Sequence, residues 1–385
     1  MNVDTKGNSV SWLPILMTLS AAMAIMAFQN VFSPVTEILK SSNNLSNWES
    51  MLVVSSPSLF LALLSFTSGK ILDRINPIKT SLFCFIASAG ISVVGLFVTG
   101  LWGILISRLI AGIAFAPLMV LALQLPQVIY PPHKRNRMTA IQTLGAPMGA
   151  IIALYAGAWI GTNLGYTYNY IIPIALCLIG IATSIPLLGM ELDRNIQTGA
   201  NLRLSSTTKM MAASWILFTG STSIFLFLGT QIGISHELRL FIAVSGPAFL
   251  MIPPLLITPI IGEIIDKKAS RLFLLVVSSL AMVVAFQLLW INKWSWAIGA
   301  LLLGVFSAFI PPIVFSTPSR FEKPENTGSA IGLINTLGTT GMFIVPPLAA
   351  LLMDTVNGWW IPMIISSSLS FGILVIAISQ RRRLS

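Results

Sequence analysis

The chain has 385 residues, 55% of them hydrophobic and only 9% charged, with a formal net charge of +10 and a mean hydropathy of +0.87. A soluble domain carries roughly a quarter charged residues, so this composition excludes a water-soluble globular protein and points to lipid as the solvent. The two cysteines, Cys84 and Cys177, stand inside apolar runs, and the two histidines, His133 and His236, fall in separate loops. Neither pattern supplies a disulfide framework or a metal-ligand set, and no cofactor is expected.

A spanning helix needs about 20 mostly apolar residues. Twelve segments qualify: 12–39, 47–68, 79–99, 102–128, 138–161, 167–190, 210–231, 239–261, 272–291, 294–317, 327–352 and 357–379. The first run is too long for the core of a cleavable signal and reads as a spanning helix. Most connections are short, so neighbouring helices run antiparallel. The longest, 191–209, carries Asp193, Arg194 and Arg203 among serines and threonines and lacks apolar periodicity. It reads as a linker between a six-helix half at 1–190 and a second at 210–385. The fold class expected is an all-α membrane protein of twelve transmembrane helices in two pseudosymmetric bundles.

Lysine and arginine set the orientation. With the amino terminus inside, inner segments hold Lys6, Lys70, Arg74, Lys79, Lys134, Arg135, Arg137, Arg194, Arg203, Lys209, Lys267, Lys268, Arg271, Arg320, Lys323 and the Arg381–Arg383 tail, whereas outer segments hold Lys40, Arg239 and Lys293. Both termini are expected in the cytoplasm and the protein in the plasma (inner) membrane. The basic residues then face anionic lipid, and no nucleic-acid partner is needed to explain them. Trp48, Trp102, Trp159, Trp290, Trp294, Trp359 and Trp360 fall near outer helix ends, where amphipathic rings anchor at the interface.

A charged stretch, Gly69-Lys70-Ile71-Leu72-Asp73-Arg74, returns about 193 residues on as Gly262-Glu263-Ile264-Ile265-Asp266-Lys267. Ile141-Gln142-Thr143-Leu144-Gly145 likewise returns as Ile334-Asn335-Thr336-Leu337-Gly338, and Leu109–Gly112 as Leu301–Gly304, one residue out of phase. Repetition at half the chain length is a known transporter construction, with the solute site at midmembrane between the halves.

With these motifs the chain resembles the major facilitator superfamily of secondary transporters over essentially its whole length. Gly69, Asp73 and Arg74 fit the family's hallmark loop after the second helix; Asn76, Pro77 and Ile78 depart from it, where the family prefers glycine and basic residues. The resemblance implies a latch on the cytoplasmic side. In it Asp73 and Arg74 engage the start of the eleventh helix, and Gly262, Asp266 and Lys267 mirror them at the fifth. Physically, Gly69 permits a tight helix exit, and a carboxylate at Asp73 suits a helix amino terminus.

Arg108 is the most informative single residue. An arginine inside a spanning segment costs roughly 2.5–3.5 kcal/mol on insertion scales, so it faces a cavity, a solute or a partner, or is held by backbone carbonyls. With Gly112 it also resembles the family's fourth-helix motif, where the arginine is associated with proton coupling or substrate charge. Glu37, the acidic residue inside a predicted segment, is a candidate partner for Arg108 and a candidate proton carrier. Asn30, Gln142 and Asn335 are candidate cavity-lining residues. Gly145-Ala146-Pro147 and Gly338-Thr339-Thr340-Gly341 with Pro346-Pro347 read as breaks that permit bending.

The function expected is secondary active transport of a small solute by alternating access, not enzyme catalysis. A nearly uncharged core with one arginine suits a small organic or inorganic anion. The competing readings are an exporter of hydrophobic drugs or metabolites with a co-transported proton, and a transporter-like sensor that moves nothing. The expected partners are the solute and the lipid bilayer, with the protein a monomer.

Overall fold

In lipid every backbone N–H and C=O must find a partner within the chain, which leaves helices for an apolar sequence of this kind. The computed structural model describes residues 12–72, 75–130, 138, 141–190, 204–267, 271–356 and 358–381, with side chains for all of these except 66, 69–72, 123–124, 126–129, 258–267, 319 and 324–329. The spanning helices are α1 Leu13–Asn43, α2 in two pieces at Asn47–Ser55 and Pro57–Leu72, α3 Pro77–Gly95, α4 Leu101–Ile129, α5 Ile141–Asn163 and α6 Tyr166–Leu187. The second half gives α7 Ser206–Ser235, α8 Leu240–Lys267, α9 Arg271–Leu288, α10 Lys293–Ser316, α11 Pro324–Val356 and α12 Trp360–Ser379. Among the described residues, eleven helices are each long and apolar enough to cross a membrane, and the bent pair in α2 completes twelve. Large apolar side chains such as Leu63, Phe83 and Phe97 point outward, as a lipid-facing surface requires.

The packing repeats with a shift of six. α1 packs on α5 and α6, α2 on α4, and α3 on α4 and α6; α7 packs on α11 and α12, α8 on α10, and α9 on α10 and α12. Close approach at glycine explains two of these pairs in each half. A Cβ on Gly112 of α4 would sit 2.6 Å from the Pro57 carbonyl oxygen of α2, and one on Gly304 of α10 would sit 1.9 Å from that of Phe249 in α8. Gly149 of α5 and Gly341 of α11 would meet the carbonyl oxygens of Met23 in α1 and Ile216 in α7 at 2.2 and 2.5 Å. Each second-half pair lies about 193 positions beyond its counterpart, so the sequence repeat is a repeat of backbone contacts.

Three expectations change. Gly69 and Gly262 do not end their helices, because α2 continues to Leu72 and α8 to Lys267; one glycine costs a helix only about 1 kcal/mol, less than the hydrogen bonds gained by continuing through Ile71-Leu72 and Ile264-Ile265. Of the two expected breaks, the one in α5 is present as a turn at Leu144, beside Gly145-Ala146-Pro147, and the one in α11 is not. α11 runs unbroken with Pro346 and Pro347 inside it, whereas α1 is interrupted by a 3-10 turn at Ser33–Val35 and α2 bends by 40° at Ser56. Pro34 and Pro57 explain both, since a proline offers no N–H to the carbonyl four residues back. Lastly, α7 starts at Ser206, inside the stretch read as a linker; residues 191–203 of that stretch are outside the described residues.

The terminal face holds the start of α1 and the end of α12; the distal face is the opposite one. Between the halves α2 packs on α11, α5 on α8, and the turn of α1 on α7. At the terminal face Glu322 accepts the Ser205 N–H at 2.8 Å, just ahead of α7. Burial tends to raise its proton affinity, but hydrogen bonds from Thr208 and Ser205 and the Lys209 charge outweigh that and hold the carboxylate below its ordinary value.

Candidate functional site

Arg108 organises the interior of the first half. Its side chain is wholly buried. Nε donates to the Val53 carbonyl at 2.8 Å, and Nη2 donates to the carbonyls of Val54 at 2.9 Å and Gln29 at 3.2 Å. Val53 lies four residues before Pro57, so its carbonyl has no helical donor at that place; Arg108 and the Ser56 hydroxyl, at 2.8 Å, fill it. Gln29 lies at the end of the first stretch of α1. One guanidinium therefore clasps α1 and α2 at their breaks, while Gly112, one turn along α4, makes room for the α2 backbone. This explains the spacing of Arg108 and Gly112.

Aromatic faces complete the pocket. The guanidinium carbon stands 5.0 Å from the Phe28 ring centroid and 4.8 Å from that of Phe32, within the range of cation–π attraction. Tyr170 packs edge-on to Phe32 at 5.3 Å, with its hydroxyl 3.3 Å from that of Ser107. Nη1 is buried without a hydrogen-bond partner, and the one ion pair among the described residues joins Lys40 to Glu37.

Glu37 does not meet Arg108. It lies at the distal end of α1, its side chain 48% exposed and 3.2 Å from Lys40. Sequence position put both residues toward one side of the membrane but said nothing of depth; Arg108 points inward to helix breaks that the hydropathy pattern does not show.

The amides are buried on three helices. Asn30 donates to the Met26 carbonyl at 2.8 Å and leaves Oδ1 unpartnered. Gln142, on the terminal half of α5, leaves Oε1 unpartnered. Asn335 lies in the corresponding part of α11 and is also buried. Of the residues assigned to the latch, Asp73 and Arg74 are outside the described residues, and Gly69, Gly262, Asp266 and Lys267 are described in backbone only, within helices.

Two residues escaped the sequence reading. Asn169 donates to the Val31 carbonyl at 2.7 Å and so serves the same α1 break as Arg108. An asparagine inside the apolar run at 167–190 was its signal. Asp354, near the end of α11, accepts from Asn47 Nδ2 at 2.6 Å and from the Trp48 backbone N–H at 3.0 Å. Here a carboxylate from the second half caps the amino terminus of α2 in the first, where helix-dipole and capping effects favour it. Lys40 reaches the same Asn47 at 2.5 Å, and Tyr155 of α5 donates to Ser245 of α8 at 3.0 Å. The bonds of Asp354 and Tyr155 join the halves toward the distal face.

A cap of this kind contributes about 1 kcal/mol, equivalent to about a fivefold change in the balance between two arrangements. With Ser50, buried in the first turns of α2, changed to cysteine, Asp354→Ala is expected to speed its labelling from the distal side by an impermeant maleimide about fivefold. An unchanged labelling rate would show that this cap does not hold the distal face shut.

The sequence model of the Major Facilitator Superfamily matches residues 16–346 of the chain. Among solved structures, the crystal structure of a bacterial homolog to the human lysosomal transporter Spinster, inward-facing and occupied, superposes with a TM-score of 0.78 over 97% of this chain and 98% of that one. At 12% identity this likeness speaks for the fold alone. A search of curated proteins gave no match.

Proposed function

Since the chain belongs to the Major Facilitator Superfamily, a family of transporters rather than enzymes, we propose that it carries a small anion across the membrane by alternating access. One observation carries the anion reading: Arg108 is a fully buried cation with no carboxylate partner among the described residues. Carbonyl dipoles and ring faces offset part of the cost of burying that charge, and a bound anion would supply the missing countercharge. Asn30, Gln142 and Asn335 are assigned to the lining of the solute path between the halves.

In this reading residues 1–190 and the second half, which begins with α7 at Ser206, rock against each other, as a monomer. The terminal face is cytoplasmic, and Gly69, Asp73, Arg74, Gly262, Asp266 and Lys267 form the latch on that side. Glu37, exposed and paired with Lys40, stays the candidate for a co-transported proton and acts apart from Arg108.

The test uses purified protein and proteoliposomes. Particular small carboxylates or oxyanions are expected to raise the melting temperature and to drive counterflow of the same anion, whereas lipophilic cations do neither. Arg108→Lys, which keeps the charge but loses the fork, is expected to weaken anion stabilisation. Stabilisation by lipophilic cations with no response to any anion would overturn the reading in favour of an exporter.

A further inference from the structure

Trp215 lies nine residues past the start of α7 at Ser206, about 14 Å along the helix and away from the helix ends where Trp102, Trp159 and Trp294 are exposed. Its indole stacks on Phe218 at 5.0 Å and 21°, and it meets Phe315 of α10 edge to face at 4.9 Å. The ring also rests on Gly338 of α11, where an added Cβ would fall 2.2 Å from Nε1. Phe218 is buried in this cluster, whereas Trp215 and Phe315 are half-buried. The cluster therefore keeps ring surface on an open side.

That side faces the first half. Leu217 of α7 points at α12, 3.0 Å from a Cβ placed on Gly372. Trp215, two residues earlier, lies about 160° round the helix from it. Gly229 and Gly233 of α7 turn toward Pro247 and Ala243 of α8. α8 and α11 are the helices that pack on the first half, through α5 and α2. The interval between them over α7 thus lies between the halves, and Trp215 stands on its α11 side. The fold does not itself require a ring there. In the repeat, Ala22 of α1 corresponds to Trp215 and Gly145 to Gly338, and a Cβ on Gly145 would lie 2.8 Å from that of Ala22. The first half closes this contact with a methyl group, and the second places an indole in it.

Building on the anion reading, we propose that Trp215, supported by Phe315, sets the specificity of the solute path, and that the solute is an organic anion bearing a flat aromatic ring. Aromatic rings attract one another offset or edge to face, because the positive rim of one meets the negative face of the other. A saturated ring of the same size offers apolar area without that face. Trp215 selects the ring, and Arg108 answers to the charge.

The full-length protein in nanodiscs is titrated by ligand-observed NMR with two pairs of probes, each matched in charge and nearly in size. Benzoate and cyclohexanecarboxylate are the anionic pair, benzyl alcohol and cyclohexylmethanol the neutral one. Benzoate is expected to bind saturably, at least fivefold tighter than cyclohexanecarboxylate. Trp215→Leu is expected to bring the two acids within twofold of each other by weakening benzoate alone, while Trp215→Phe keeps most of the preference. Phe315→Leu, expected to lower the preference about twofold, serves the same purpose should Trp215→Leu fail to fold. Equal binding of the two acids, or a preference unchanged in Trp215→Leu and Phe315→Leu, would overturn the ring site and leave the anion reading standing. If neither acid binds but benzyl alcohol does, with a preference over cyclohexylmethanol that Trp215→Leu removes, the anion reading falls and the ring site stands. Saturable binding of none of the four probes would overturn both.

Discussion

Arg108→Leu is expected to destabilise the purified protein by roughly 2–5 kcal/mol in denaturant or thermal unfolding. The substitution removes donors from three carbonyls at the breaks of α1 and α2, and each buried acceptor left bare costs about 1–3 kcal/mol. Val53 loses least, since the Ser56 hydroxyl still reaches it. Relief from burying a cation offsets part of the loss. Arg108→Lys is expected to fall between, because a single ammonium on a shorter reach serves carbonyls on one helix and not both. The measurement also separates two roles. Loss of stability with anion response intact in the folded fraction makes Arg108 a clasp, whereas loss of anion response at unchanged stability makes it a solute ligand.

Gly304→Ala is expected to be among the most damaging single changes in the second half, lowering stability by about 3 kcal/mol or abolishing expression. Its Cβ would stand 1.9 Å from the Phe249 carbonyl oxygen, with the Pro253 ring at 2.9 Å. A rigid backbone carbonyl cannot move aside as a side chain would, so α8 and α10 must separate; overpacking of this kind costs about 1–3 kcal/mol, occasionally more. The same substitution is expected to follow the contact distance, with Gly149 at 2.2 Å, Gly341 at 2.5 Å and Gly112 at 2.6 Å progressively milder. Gly90, with nothing within 4 Å of the added carbon, is expected to tolerate alanine or gain up to about 1 kcal/mol from helix propensity. Melting temperatures of these five variants that did not follow this ranking would mean that the glycines serve bending rather than close packing.

The glycine pairs show how far linear order reaches. Repetition of Leu109–Gly112 and Ile141–Gly145 at half the chain length announced two similar halves. The structure gives the reason: α4 meets α2, and α10 meets α8, at a glycine facing a carbonyl. The resemblance of the charged loop pointed to the same family that the match over residues 16–346 supports. The tryptophans also followed composition: Trp102, Trp159 and Trp294 are exposed at helix ends. Trp296 is the contrast, buried against Gly246, which two residues of separation from Trp294 could not foretell.

By itself the sequence determined the solvent, the twelve spans and the twofold repeat, because hydropathy and repetition are properties of neighbouring residues along the chain. Only the tertiary structure decided what the polar residues touch. The Val53 carbonyl lies 55 positions from Arg108 and the Gln29 carbonyl 79, while Asn47 and Asp354 are 307 apart. A hydrogen bond needs its two atoms within about 3.5 Å, and across such separations that distance is set by how whole helices pack. The same packing leaves the side chains of Thr230 and Gln231 buried without a hydrogen-bond partner.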